Sequence, residues 1–238
     1  MFDFSNRVVI VTGATGNLGQ AVARAFQVTG ARLALVDHAA DRLQQTYSDI
    51  ASSRDHFLAG SVDVTDADAV AAMVEETINR FDRIDVLVNA VGGFRGGTPL
   101  HETSLETWDL MFNLNARSVF IASRAVIPHM LRQGAGKIVN VAARAGLQGG
   151  AKMAAYSASK SAVIRLTESM AAELKESGIN VNCVLPGTID TPQNRQAMPK
   201  ADYNRWIKPE ALADAILFLA SDAARDIHGA ALPVYGRS

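Results

Sequence analysis

Val8-Val9-Ile10-Val11-Thr12-Gly13-Ala14-Thr15-Gly16-Asn17-Leu18-Gly19 is the stretch that decides how this chain folds. Its first half is an unbroken apolar run of strand length, which suits a strand covered on both faces. Its second half is a glycine turn, and a helix-like segment, 17–29, follows it. A buried strand, a glycine turn and a helix together make a phosphate cradle. The glycines let the backbone turn sharply and come close to a pyrophosphate, and the helix N-terminus offers free N–H groups and a partial positive charge. The next apolar run, Leu33–Val36, ends at Asp37. An acidic residue there stands where a dinucleotide's ribose hydroxyls would lie.

The same alternation continues outward. Further strand-length runs are Phe57–Val62, Val86–Val91, Ile138–Ala142, Val181–Leu185 and Ala230–Val234. Between them lie helix-like segments at 39–52, 66–81, 105–133, 154–177 and 209–221. Asp66-Ala67-Asp68 supplies a capped, acidic first turn for the third of all these helices. Strictly alternating α and β elements predict a Rossmann-type doubly wound α/β fold. We expect a seven-stranded parallel sheet with helices on both faces, in one domain over 1–238. The irregular stretches 91–104 and 186–209 both follow strand C-terminal ends, where open α/β sheets bind ligands. Pro192, Pro199 and Pro209 give the second the character of a lid.

Composition excludes several classes. The 238 residues carry a formal net charge of −1 with Lys and Arg scattered, so no electrostatic footprint for nucleic acid or an anionic membrane is present. The N-terminus lacks a basic segment followed by a long apolar one, and no uncharged run reaches transmembrane length, which reads as cytoplasmic. The lone cysteine, Cys183, sits in an apolar run and reads as a buried structural thiol. His38, His56, His101, His129 and His228 are dispersed without metal-ligand spacing and read as surface or loop residues, so no metal is expected. Ser157 and Ser159 lack a His and Asp arrangement, which argues against hydrolase chemistry.

Tyr156 and Lys160 stand at i and i+4 of a helix-like run and so share a face. A nearby ammonium favours a phenolate and lowers the tyrosine's pKa, which makes a proton donor or acceptor near neutral pH. Taken alone, the spacing also fits a surface tyrosine beside a solvated lysine. Its place after the fifth strand of a dinucleotide fold gives it meaning.

With that pair included, the chain resembles the short-chain dehydrogenase/reductase family over nearly its whole length. The matching residues are the glycine turn 12–19, Asp63-Val64, Asn89-Ala90-Val91-Gly92, Asn115, Tyr156 with Lys160, and Pro186-Gly187. The resemblance implies a nicotinamide cofactor, with Gly13, Gly16, Asn17, Leu18, Gly19, Asp37, Asp63, Val64, Asn89, Ala90, Tyr156, Lys160, Pro186, Ile189 and Thr191 around it. It implies Tyr156 as general acid, Lys160 as its partner and ribose contact, and Asn115 as holder of a water linking Lys160 to solvent. It also implies a homodimer or homotetramer through 105–133 and 154–177. Asp37 favours NAD over NADP, because a carboxylate repels a 2′-phosphate.

The chain departs from the family pattern in three places. Asn17 replaces the usual middle glycine, and the usual Asn-Asn-Ala-Gly reads Asn89-Ala90-Val91-Gly92. The serine expected thirteen residues before the tyrosine is Ala143. At these points the chain is similar to the quinonoid dihydropteridine reductases, which lack that serine and carry a Gly-Gly-aromatic segment like Gly92-Gly93-Phe94. Their segment after strand six resembles 185–203 here. That likeness implies a flat conjugated substrate near Phe94, Ala143 and Tyr156, with Arg95 or Arg195 facing an anionic or carbonyl-rich group. Two alternatives stand beside it. One is a general carbonyl or 3-oxoacyl reductase, and the other is a weakly catalytic cofactor-binding sensor or interaction protein.

Overall fold

The computed structural model describes residues 2–237. The seven strands are β1 (Val8–Thr12), β2 (Arg32–Val36), β3 (His56–Ala59), β4 (Val86–Asn89), β5 (Gly136–Val141), β6 (Ile179–Pro186) and β7 (Ala231–Val234). They form one sheet in the order β3-β2-β1-β4-β5-β6-β7, and every pairing is parallel. The order reverses after β3, so β1 and β4 are neighbours and a crevice opens at their C-terminal ends. β1 and β4 are buried along their whole length, as continuous apolar strands between two helical layers must be.

The helices are α1 (Asn17–Val28), α2 (Ala40–Thr46), α3 (Ala67–Phe81), α4 (Leu105–Phe112), α5 (Ser118–Gln133), α6 (Ala154–Leu174), α7 (Pro192–Ala197) and α8 (Pro209–Ala220). One core cluster joins α1 and α8 to one face of the sheet through residues such as Val22, Phe26, Leu212 and Ile216. A second joins α3 and α5 to the other face through Met73, Val74, Val126 and Met130. Asp66 caps α3 by accepting from the Asp68 and Ala69 N–H groups, as its sequence predicts.

Several boundaries differ from the sequence reading. The segment 39–52 is helical only over Ala40–Thr46, because Tyr47 and Ile50 turn inward to be buried. The third strand stops at Ala59 rather than Val62, where Ser61 takes a left-handed conformation (φ 60°). The fourth stops at Asn89. The segment 105–133 is helical throughout but contains a π-helical turn at Asn113–Arg117 between α4 and α5. The stretch 186–209, read as irregular, contains α7, whose first turn is set by Pro192 and capped by the Thr191 hydroxyl. Two histidines are also misplaced by the sequence. His129 lies on α5 with its side chain largely buried beside Glu75 (3.4 Å), and His56 lies in β3, accepting from the Leu33 N–H. Cys183 is buried, as expected.

Candidate active site

The glycine turn leaves β1 at Thr12. Gly13 has φ +67°, and a Cβ there would lie 3.0 Å from the Val91 Cγ2 atom. A Cβ on Gly19 would lie 2.1 Å from the Gly13 carbonyl oxygen, so α1 can start this close to the turn only with glycine. Three side chains strap the turn in place. The Tyr47 hydroxyl donates to the Ala14 carbonyl (2.7 Å), and the Gln20 amide donates to the Thr15 carbonyl (2.7 Å). The Asp37 Oδ2 atom accepts from both the Thr15 N–H (3.0 Å) and the Thr15 hydroxyl (2.9 Å). Its Oδ1 atom accepts from the Ala39 N–H (3.1 Å), with His38 Nδ1 3.2 Å away. Burial pushes the Asp37 pKa up, but these hydrogen bonds and His38 outweigh it and hold the carboxyl below its usual range. Asp37 therefore ties β2 to the turn besides standing at the strand end. Tyr47 and Gln20 are positioning residues that sequence reading missed. Tyr47 sits among polar residues in a stretch assigned wholly to helix, which gave no signal.

The turn fits a dinucleotide. Gly16 caps α1 without a side-chain hydrogen bond, and no acidic residue occupies the first turn. The helix thus offers an uncapped, locally uncharged N-terminus, as a pyrophosphate requires.

Tyr156, Lys160 and Asn115 come together at the C-terminal ends of β4 and β5. Lys160 is 4% exposed, and its Nζ donates to the Val141 carbonyl (2.8 Å) at the end of β5. Asn115 is fully buried inside the π-helical turn. Its Oδ1 accepts from the Gly93 N–H (3.0 Å), and its Nδ2 donates to the Gly93 carbonyl (3.1 Å) and to Ser159 Oγ (3.0 Å). Ser159 passes the link on by donating to the Tyr156 carbonyl (2.8 Å). A Cβ on Gly92 would stand 3.0 Å from both Asn115 Oδ1 and Lys160 Nζ, so the absent side chain keeps a gap open between them. Ser159 is a third positioning residue. The sequence pattern registered it only as a neighbour of the tyrosine.

The acid–base electrostatics differ from expectation. Burial pushes the Tyr156 phenol up to about 12, and burial lowers the Lys160 ammonium to about 8. Burial alone sets this shift of the phenol, so Tyr156 keeps its proton near neutral pH and has one to give. Phe94, 62% exposed, meets Tyr156 edge-on with ring centroids 4.9 Å apart. Ala143 is buried at the start of a short 3-10 turn over Arg144–Gly146. A Cβ on Gly146 would lie 2.8 Å from the Lys160 backbone, so this turn packs tightly on α6.

The other expected residues divide in two. Leu18, Ala90, Pro186, Ile189 and Thr191 all lie at or just beyond the C-terminal ends of β1, β4 and β6. Asn194 Nδ2 donates to the Ile189 carbonyl (2.8 Å), which fixes the start of α7. The Asn17 amide donates to Gln193 Oε1 (2.9 Å) on α7, so the segment after β6 reaches across the glycine turn. By contrast, the Asn89 side chain is spent inside the sheet on Asn140 Oδ1 (2.9 Å) and Ser123 Oγ (3.3 Å). Val64 belongs to the core. The Asp63 carboxylate accepts from the Thr65 N–H and hydroxyl (2.8 and 2.7 Å), which lower its pKa. Arg195 is committed to a two-pronged pair with Asp190 (2.6 and 2.8 Å), and Lys208 joins the same carboxylate. Arg144 lies over the Tyr235 ring, 5.0 Å from its centroid, rather than free in solvent. Among the described residues no group of His, Cys, Asp and Glu side chains forms a metal site.

Residues 7–202 match the family model described as short chain dehydrogenase. The chain belongs to the short-chain dehydrogenase/reductase family. A (2S)-[(R)-hydroxy(phenyl)methyl]succinyl-CoA dehydrogenase subunit from Thauera aromatica is 37% identical, over 97% of this chain and 96% of that protein. A 2-(R)-hydroxypropyl-CoM dehydrogenase from Xanthobacter autotrophicus is 38% identical, over 97% and 98%. A 3-oxoacyl-[acyl-carrier-protein] reductase from Thermotoga maritima is 34% identical, over 97% and 96%. As a short-chain dehydrogenase/reductase, the protein is an oxidoreductase of a family that works with nicotinamide cofactors. No helix among the described residues is long and apolar enough to cross a membrane.

Proposed function

We propose that the protein interconverts a secondary alcohol and a ketone by hydride transfer with NAD(H), using Tyr156 as the proton donor in reduction. The carrying observation is the convergence of Tyr156, Lys160 and Asn115 beside the uncapped glycine turn. The nicotinamide, when bound, supplies or accepts the hydride. The other steps belong to the chain. Tyr156, held protonated by burial, gives its proton to the substrate oxygen as negative charge builds there. Lys160 stabilises the phenolate that remains. The gap over Gly92, flanked by Asn115 Oδ1 and Lys160 Nζ, leads the replacement proton toward the lysine. Ala143 supplies no hydroxyl to the substrate oxygen, so Tyr156 carries the polarisation. The three relatives are named for hydroxyacyl, hydroxyalkyl or oxoacyl compounds on CoA, CoM or acyl carrier protein, which favours a carbonyl or hydroxyl substrate.

A second reading, a quinonoid dihydropterin, is favoured by the exposed Phe94 ring standing edge-on to Tyr156. Hydride addition to that substrate restores a stabler conjugated ring and needs less help from a hydroxyl at 143. Substrate turnover in the parent and in Ala143→Ser separates the two. A ketone reductase gains up to roughly 10²-fold in kcat/KM on simple ketones from the restored donor. A dihydropterin reductase changes less than about threefold on the pterin. NADH oxidation with neither substrate class, or full activity in Tyr156→Phe, overturns the proposed reaction. For the assembly we propose a homodimer or homotetramer, supported by the exposed apolar side chains Leu105, Trp108 and Phe120 on α4 and α5.

A further inference from the structure

The opposite end of the sheet carries a second recess. Arg7 precedes β1, Arg83 and Asp85 precede β4, Lys137 is the second residue of β5, and Gly178 precedes β6. With Asp222 they line a cavity of about 290 Å³. All strands are parallel, so this cavity lies at their N-terminal ends. It is roughly 15 Å, a strand's length, from Tyr156 and Lys160.

The charges in it are unevenly matched. The Asp85 carboxylate is fully engaged, by a two-pronged bond from Arg83 (2.6 and 2.9 Å) and by the Val8 N–H (2.8 Å). Arg7 reaches Asp222 (2.6 Å), but that carboxylate is largely exposed, 70% for its side chain. Such a pair is screened by water and breaks at little cost. Lys137 is the least directly matched group: the Asp222 and Asp226 carboxylates attract it through space, but neither is within ion-pair distance. It is 8% exposed, and among the described residues its one hydrogen-bond acceptor is a neutral amide oxygen, Asn180 Oδ1 (2.5 Å). Asn180 is itself fixed, because its Nδ2 donates to the Arg225 and Ile227 carbonyls (2.8 and 3.0 Å). It therefore cannot bring a negative charge to the lysine. A buried ammonium with a neutral partner leaves donors unsatisfied, and burying a charge is costly until an opposite charge joins it.

We propose that this cavity binds a small oxyanion of the phosphate or short-carboxylate class, with Lys137 as its central contact. The anion accepts from Lys137 Nζ, and the Arg7 guanidinium turns to it from Asp222. Both bonds are charge-assisted, which is what a compact anion needs to leave water. Three cations against two carboxylates leave the recess with one net positive charge before the anion enters. The site is separate from the hydride centre, and its effect is on the stability of the β5–β6 root of the sheet.

Thermal unfolding with inorganic phosphate, against chloride at equal ionic strength, tests this. Phosphate at tenfold its dissociation constant is expected to raise the melting temperature by roughly 3 °C. Lys137→Met is expected to abolish the rise, and Asp222→Asn, which removes a competing carboxylate, to enlarge it. Because phosphate also suits the glycine turn, the series is repeated with saturating NADH, where the rise is expected to persist. A rise that survives Lys137→Met, or that NADH removes, overturns the proposal, as does no rise at all. If Lys137→Met does not fold, Asp222→Asn decides alone: an unchanged or smaller rise overturns it. If NADH does not bind, the two variants still decide, so failure of the proposed reaction is read separately.

Discussion

Lys160 shows what a buried charge at the proposed site costs in stability. Its pKa is depressed from 10.5 to about 8 by burial. The sign follows from proton counting. Below pH 8 the folded and unfolded states both carry the charge, and the folded state bears the full desolvation cost, on the order of 3 kcal/mol. Between pH 8 and 10.5 the folded lysine has shed its proton and the unfolded one has not, so the lysine's cost fades as pH rises. Lys160→Met is therefore expected to be inactive yet more stable than the parent at pH 7 in urea unfolding, with the advantage shrinking toward pH 10. A variant that is less stable at pH 7 would mean that the bond to Val141 outweighs desolvation. Asp37, by contrast, serves stability and cofactor choice together. NADH is expected to bind at least about tenfold tighter than NADPH, about 1.4 kcal/mol. Asp37→Ala is expected to narrow that ratio in fluorescence titration. Because its carboxylate also holds the Thr15 N–H and hydroxyl, the variant is expected to lose stability as well, by about 1–3 kcal/mol for the orphaned donor.

At the scale of elements, the contact between α1 and α7 sets up a test of coupling. Asn17 stands where the family pattern has glycine, and its amide bonds Gln193 across 176 residues of chain. An exposed hydrogen bond of this kind contributes about 1 kcal/mol. Asn17→Gly and Gln193→Ala are each expected to weaken NADH binding by roughly fivefold. The double variant is expected to be no weaker than either alone, since both remove the same link. Strict additivity in the titrations would show that the two side chains act independently. The Asp190 carboxylate, clasped by Arg195 and Lys208, and the bridge between Ile189 and Ile207 hold the rest of that segment in place. The π-helical turn is the other decisive element. It buries Asn115 against Gly93 and Ser159 without breaking the helix from α4 to α5, in keeping with the frequent placement of such turns at functional sites.

For the whole molecule, the two faces of α4 and α5 matter most. The inner face of α5 packs on β4 and β5 and that of α4 on α6, while Leu105, Trp108 and Phe120 are 80%, 39% and 51% exposed. Exposed large apolar side chains on adjoining helices suit an association site. The parent protein is expected to sediment as a dimer or tetramer at micromolar concentration, and Phe120→Glu to shift it toward monomer. A monomeric parent in sedimentation velocity would refute the proposed assembly.

The sheet, the glycine turn and the candidate trio of Tyr156, Lys160 and Asn115 were all legible in the residue pattern. Unbroken apolar runs of strand length, spaced by helix-like segments, suit strands between two helical layers, and a glycine turn between strand and helix suits a phosphate. Tyr156, Lys160 and Asn115 were legible because each carries a residue type and position tied to one chemistry. Where polar side chains spend their hydrogen bonds depends instead on the folded chain. Asn89 turns into the sheet, Val64 into the core and Arg195 onto Asp190, while Tyr47, Gln20 and Ser159 support the site from positions without a local pattern. The tyrosine's pKa was likewise beyond the sequence. Spacing set Lys160 one turn from Tyr156, but burial, which depends on every packed neighbour, sets the phenol's shift and keeps it protonated. Periodicity records which face of an element avoids water. It does not record which partner a buried polar group meets, because that partner comes from a distant part of the chain.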